Sequence, residues 1–263
     1  MKSVGVSIWQ LRGLAAVLVA SGFLLSSAMA QVPGKYFPLD HRQPAGVAAR
    51  WSSLVQPGEF GRPQPIQVVL EGGAIDVNGK GTLLTSEECL LHPSIQVRNQ
   101  GFTKADYEAV FAEYLGVTNV IWLGNGIQGD DTHGHIDDLC RFVNADTIVT
   151  VVESDRKDAN YQPLQDNLKR LQAAHLEDGR SPNIIELPMP QKLMFEDIRI
   201  PPSYANFLII NGAVLVPTFN DPNDRIALNI LATCFPDRQI IGINAIDLIW
   251  GFGTLHCLSQ QVY

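Results

Sequence analysis

Apolar and polar residues alternate along most of the chain with two periods, one suited to strands and one to helices. Val68 to Val77 reads as a strand interrupted at Glu71-Gly72-Gly73, and Gly81 to Leu91 carries a second strand. Glycines directly after a carboxylate inside a strand predict the close approach of another group. Thr103, with Asp106 three residues on, predicts a helix N-terminus; Tyr107, Val110, Phe111, Tyr114 and Leu115 then share one face, and Gly116 ends the helix. Val117 to Leu123 is the next strand. The order recurs with Phe142 to Glu153, a helix with Tyr161, Leu164, Leu168 and Leu171 on one face, and Asn183 to Leu187. In a third round, Phe207 to Ile210 and Ala213 to Phe219 read as strands. Asp221-Pro222 opens a helix carrying Ala227, Ile230, Leu231 and Cys234, and Gln239 to Ile243 closes the unit. Three ββαβ units make an α/β protein, either a circular repeat array, in which each unit covers its neighbour's apolar face, or an ordinary α/β sandwich.

The first 65 residues lack this pattern. Lys2 and Arg12 precede an apolar run from Leu14 to Leu25, and Ala28-Met29-Ala30 offers a small-residue cleavage site, so residues 1–30 read as a secretory signal peptide. The run contains Ser21 and Gly22 and is shorter than the ~20 residues a membrane span needs. Residues 31–65, rich in Pro, Gly and Arg, read as loop with one helical turn near Val47 to Leu54. The folded domain is placed at 66–263, and export to the periplasm or medium, without stable membrane association after cleavage, is expected. Losing Lys2 and Arg12 with the leader moves the net charge from −8 to −10, which argues against a nucleic-acid partner and suits a cationic small molecule. Of the four cysteines, Cys89, Cys140 and Cys234 have apolar neighbours and read as buried free thiols. Cys257 follows His256 in a glycine-interrupted loop, where a reactive thiol could be presented.

Chemistry concentrates in Gly129 to Asp138, which holds four carboxylates and two imidazoles. Together with Glu71, the Ser203-Tyr204-Ala205-Asn206 stretch and His256-Cys257, it supplies what thiolate catalysis needs: a thiol, an imidazole to move protons and carboxylates to orient them. The competing reading is His133-x-His135-x-Asp137 as a zinc site, with His175 and His256 as further candidate ligands, although Asp138 stands where such hydrolases usually carry another His. Taken singly, Glu71 is a turn carboxylate, Asn206 a strand cap and Cys257 a core thiol.

Several motifs resemble one family. Leu70-Glu71-Gly72-Gly73, Gly81-Thr82-Leu83-Leu84-Thr85, Gly129-Asp130-Asp131-Thr132 with Gly134-His135-Ile136-Asp137, Ser203 to Phe207, Val216 to Asp224, and His256-Cys257 with Gln260-Gln261 occur in the order seen in agmatine deiminases. These belong with the peptidylarginine deiminases to the guanidine-modifying superfamily. The resemblance implies an α/β propeller of five ββαβ units, here incomplete, with the site on the central axis. It implies hydrolysis of agmatine to N-carbamoylputrescine and ammonia, a step of putrescine biosynthesis, without a cofactor or metal. Cys257 would be the nucleophile, His135 the general acid and then base, and Glu71 the carboxylate orienting His135. Asp137 would hold the guanidinium and Asn206 would line the pocket. Peptidyl-arginine deimination, or guanidine binding without catalysis, are the alternatives. The family's N-terminal Trp-x-Arg-Asp-x-Gly-Pro motif has no counterpart, with Asp40 the nearest carboxylate in that region. A truncated chain with impaired activity, or one completed by homo-oligomerisation, is therefore expected. His133 stands where the family usually has Asp, implying weaker attraction for a dicationic substrate. Asp130, Asp131 and Asp138 are expected to shape the loop.

Overall fold

The computed structural model describes Ala48–Arg50 and residues 68–260. Residues 1–30, read above as a leader, Asp40 and most of the stretch up to residue 67 lie outside the described residues. Ala48–Arg50 is a short strand (β1), not the helical turn read from the sequence; Ala-Ala-Arg favours helix locally, but propensity is a weak prior that context overrides. The chain divides after Val69, and the unit from Leu70 onward carries the repeated elements and the site.

Three three-stranded sheets share one topology. Asp76–Val77 (β3) pairs antiparallel with Thr82–Ser86 (β4), which pairs in parallel with Asn119–Leu123 (β5). Cys140–Phe142 (β6), Thr147–Val152 (β7) and Asn183–Pro188 (β8) repeat the order, as do Leu208–Ile210 (β11), Ala213–Thr218 (β12) and Gln239–Asn244 (β13). In each unit a tight turn joins the antiparallel pair and a helix crosses over to the parallel strand, which a two-residue turn could not reach. The three ββαβ units are therefore those the periodicity marked. Thr103 and Asp106 form the expected capping box on Lys104–Leu115, with Gly116 left-handed at its end (φ 67). Asp221 and Asp224 form a second capping box on Pro222–Cys234.

Two elements escaped the pattern. The second strand stops at Ser86, whose hydroxyl caps a short helix Glu87–Leu91. Leu193–Phe195 (β9) and Ile198–Ile200 (β10) form a hairpin whose turn holds Glu196 at φ 49. Among the described residues no helix is long and apolar enough to cross a membrane.

The units are tied by Arg141, which is buried. Its Nε donates to Asp76 of the first unit at 3.1 Å, and its Nη1 donates to the carbonyl of Phe207 in the third, also at 3.1 Å. A core running from Leu84 and Ile121 through Ile148 and Val149 to Val214 and Val216 fills the space between sheets, while Leu70, Leu83, Tyr107 and Phe111 form a smaller cluster under the first helix face.

Candidate active site

Three site segments occupy equivalent places, each immediately ahead of the antiparallel pair of its unit. Glu71 ends Val69–Glu71 (β2) and precedes a 3-10 turn, Gly72–Ala74, and β3. His135 precedes the 3-10 turn Ile136–Asp138 and β6. Asn206 lies just ahead of β11, and Cys257 lies in a turn beyond β13. Repetition of the unit is what brings residues so far apart in sequence to one place.

His135 Nε2 lies 3.0 Å from Glu71 Oε2, and its Nδ1 lies 3.9 Å from Asp137 Oδ1. Burial opposes the protonated imidazole, but its bonds to Cys89 and Glu71 and the charge of Asp137 outweigh that, and its pKa stands well above the ordinary histidine range. Burial likewise works to raise Glu71, yet contacts with His135 and Arg98 hold its carboxyl below the usual value. Gly73 explains the glycine after the carboxylate: a Cβ there would sit 2.5 Å from His135 Nδ1 and 3.0 Å from each Asp137 oxygen. The expected close approach is that of the imidazole.

Cys257 Sγ accepts from Asn206 Nδ2 at 2.9 Å and faces Asp137 Oδ2 at 3.4 Å. Burial and the carboxylates of Asp138 and Asp137 push its thiol far up, so the resting sulfur is protonated. Asp137 is fully buried. His256 Nδ1 reaches its Oδ2 at 2.7 Å, while Oδ1 has no hydrogen-bond partner among the described residues. A buried carboxylate oxygen left unpaired beside a thiol is a place for a donor from outside the chain. Burial raises Asp137, but the bond from His256 and the charge of His135 win and its pKa falls below the usual range.

Asn206, expected to line a pocket, is a buried hub of hydrogen bonds. Its Oδ1 accepts from Thr254 Oγ1 at 2.8 Å and from the backbone N–H groups of His256 and Cys257 at 3.1 and 3.3 Å, and its Nδ2 also donates to Asp138 Oδ1 at 3.0 Å. It fixes the Cys257 turn to the Asp137–Asp138 segment.

Asp130 shapes the loop as expected, accepting from Thr132, Gly134 and His135 backbone N–H groups. Asp138 differs from expectation. It is buried against Asn206, and burial together with the Asp137 charge lifts its pKa well above the ordinary range. Cys89 is the buried free thiol expected, packed in the smaller apolar cluster, with its sulfur 3.9 Å from Glu71 Oε2. Cys140 is a buried free thiol and Cys234 a half-buried one.

His133, His135 and Asp137 do not converge as a zinc triad. His133, at φ 63, turns its Nδ1 toward Glu88 Oε1 at 3.6 Å and stacks edge-on with His92, while His135 turns to Glu71. Ligating atoms come within 4.8 Å in Glu71–Cys89–His135 and in Asp137–Asp138–Cys257, and His133 belongs to neither group. In the first group Arg98 already occupies both Glu71 oxygens, at 2.9 and 3.3 Å, which opposes a cation there. Arg98 itself went unnoticed in the sequence, since a pairing across 27 residues leaves no periodic trace.

The site thus gathers a thiol, an imidazole–carboxylate pair and a buried carboxylate oxygen with no hydrogen-bond partner among the described residues, and comparison with known proteins gives the chain's family. A profile of the Porphyromonas-type peptidyl-arginine deiminases matches residues 30–262. The chain belongs to this family. Among relatives, agmatine deiminase of Pseudomonas aeruginosa (strain LESB58) is 35% identical over 211 residues, covering 73% of this chain and 56% of that protein. The solved agmatine deiminase of Campylobacter jejuni, a C315S form with substrate bound, superposes with TM-score 0.68 at 37% identity, covering 77% of this chain and 59% of that one. Agmatine deiminase of Enterococcus faecalis gives TM-score 0.69 at 36% identity, over 74% and 57%. The chain thus spans somewhat more than half the length of these relatives. Its several small sheets form an α/β fold shared with these solved structures.

Proposed function

We propose that the chain is an agmatine deiminase-type hydrolase, converting agmatine and water to N-carbamoylputrescine and ammonia. The observation that carries this is Asp137, buried with Oδ1 lacking a hydrogen-bond partner among the described residues and Oδ2 3.4 Å from the Cys257 sulfur. A guanidinium donating to Asp137 brings its carbon to the thiol and its positive charge between Cys257 and the carboxylates that keep the sulfur protonated. Substrate binding itself then favours the thiolate. The thiol gives its proton to solvent as the guanidinium binds, and the thiolate adds to the guanidinium carbon. His135, protonated in the resting site, gives its proton to the departing nitrogen, the C–N bond breaks, and ammonia leaves a thiouronium on Cys257. Neutral His135 next takes a proton from water, the resulting hydroxide adds to the same carbon, and the C–S bond breaks as the new hydroxyl's proton passes to the sulfur, releasing the ureido product and restoring the thiol. Glu71 holds the imidazole through both steps. No cofactor enters.

The same proposal includes the finer architecture, a five-unit propeller with the site on its axis. The equivalent placement of Glu71, His135 and Asn206 ahead of successive units supports it. It also includes export directed by residues 1–30, with 31–65 leading into the deiminase domain. The test is ammonia release by the purified chain with agmatine or a peptidyl-arginine substrate. Ammonia and N-carbamoylputrescine in equal amounts from agmatine, lost in Cys257→Ala, are expected. Peptidyl-arginine turnover alone would reassign the substrate, and binding of agmatine without turnover would make the chain a guanidine-binding relative.

A further inference from the structure

The deiminase chemistry gives no part to the best-held cation beside it. Arg98 is 4% exposed in its side chain and forks onto Glu71, Nε to Oε2 at 2.9 Å and Nη2 to Oε1 at 3.3 Å. The remaining donors are spent on carbonyls: Nη2 on Thr132, Nη1 on Gln96 at 3.0 Å and on Cys89 at 3.5 Å. Gln96 in turn donates through its side chain to the Asp131 carbonyl at 2.6 Å. The 96–98 segment therefore grips the loop that delivers His135 at two successive carbonyls while its arginine holds Glu71. Three pieces of the site, namely the end of β2, the Glu87–Leu91 helix and the 130–135 loop, meet on one guanidinium.

The charges around His135 make that placement consequential. Glu71 faces its Nε2, and Asp137 lies 3.9 Å from its Nδ1. The Cys89 thiol approaches from the short helix, Asp130 Oδ2 accepts its backbone N–H, and Asp138 lies on the following turn. Arg98 brings positive charge to a surround otherwise rich in acids.

We propose that Arg98 is a positioning residue of the deiminase site, which by forking on Glu71 and holding the Thr132 carbonyl fixes the Glu71–His135 pair and sets the pH at which His135 exchanges its proton. The proposal rests on the reading of His135 as the acid and base of the reaction. Its physical basis is competition for one carboxylate. A Glu71 already neutralised by Arg98 stabilises an imidazolium less than a bare carboxylate would, so the pair can release a proton on demand. Without Arg98 the imidazolium is held by an uncompensated carboxylate, and His135 stays protonated to higher pH.

The experiment compares Arg98→Met and Arg98→Lys with the unsubstituted full chain by two readouts: the NMR titration of the His135 imidazole, assigned with His135→Gln, and the pH–rate profile with agmatine. In Arg98→Met the His135 titration is expected to rise by about one pH unit, with the corresponding limb of the rate profile moving alike. In Arg98→Lys the charge remains, so the titration stays near that of the parent. Because an ammonium cannot fork on Glu71 and reach Thr132 as well, kcat falls by about tenfold from loss of alignment. An Arg98→Met chain whose His135 titrates as in the parent overturns the proposal, whatever its kcat. Should Arg98→Met fail to fold, Arg98→Lys decides: unchanged kcat overturns the proposal, while a lowered kcat at unmoved titration upholds it. Absence of turnover in the parent would remove the deiminase reading alone, since the imidazole titration still reports whether Arg98 controls His135.

Discussion

Replacing Asn206 with alanine removes five side-chain hydrogen bonds at once: three accepted by Oδ1 and two donated by Nδ2. The consequences are unequal because the partners differ in access to water. His256 and Cys257 are half-buried, and water can replace the carbonyl on their N–H groups. Thr254 and Asp138 are buried, so a hydroxyl and a carboxylate oxygen lose a partner with nothing to take its place. Each such group costs about 1–3 kcal/mol. Allowing for non-additivity between neighbours, the expected loss is about 2–5 kcal/mol, within the ~5–15 kcal/mol of a typical domain, so the variant folds at reduced stability. A second effect falls on Cys257. The thiolate loses its 2.9 Å donor while Asp137 and Asp138 stay in place. A thiol raised above its ordinary value reacts only as pH climbs, and the variant's alkylation should lag the parent's by about tenfold at a given pH. Urea unfolding measures the first quantity. The rate of iodoacetamide labelling at Cys257, read by peptide mass spectrometry across pH 7 to 10 to separate it from Cys234, measures the second. A stability loss below about 1 kcal/mol together with an unchanged labelling profile would refute the assignment of Asn206 as the hub of the Cys257 turn.

Two further substitutions probe the same cluster. Gly73→Ala places a methyl 2.5 Å from His135 Nδ1, between two elements that cannot both retreat, so turnover should fall by about a hundredfold, with a stability cost of about 1–3 kcal/mol; near-parental kcat would show that the imidazole has room to move. Asp138→Asn keeps an acceptor for Asn206 and deletes a buried carboxyl whose folded pKa is raised. A raised acid loses stability as pH climbs from the ordinary carboxylate range through the folded value. The variant should therefore gain on the parent as pH rises above about 4, and its Cys257 should alkylate faster. Parallel stability curves for the two proteins would count against a raised Asp138.

Period and punctuation were enough to locate the three ββαβ units. Apolar spacing reports which face of a helix or strand is buried, and caps such as Thr103 with Asp106 act within one turn, so both are written locally. The candidate chemistry was legible for a related reason: Glu71, His135, Asp137, Asn206 and Cys257 each stand in a motif, and the glycine after Glu71 betrayed a close neighbour without naming it. Tertiary structure alone decided who that neighbour was. It also decided that His133 turns to Glu88 and not to a metal triad, that Asp138 is buried, and that Asn206 gathers the Cys257 turn across some fifty residues. Arg98 carried no signal in the sequence, and Cys89, read there as a buried free thiol, is one, but nothing local placed its sulfur near Glu71. Hydrogen bonds between groups 18 or 27 residues apart, like the contact between Asp137 and Cys257 across 120, depend on how the units pack, and no local periodicity records that.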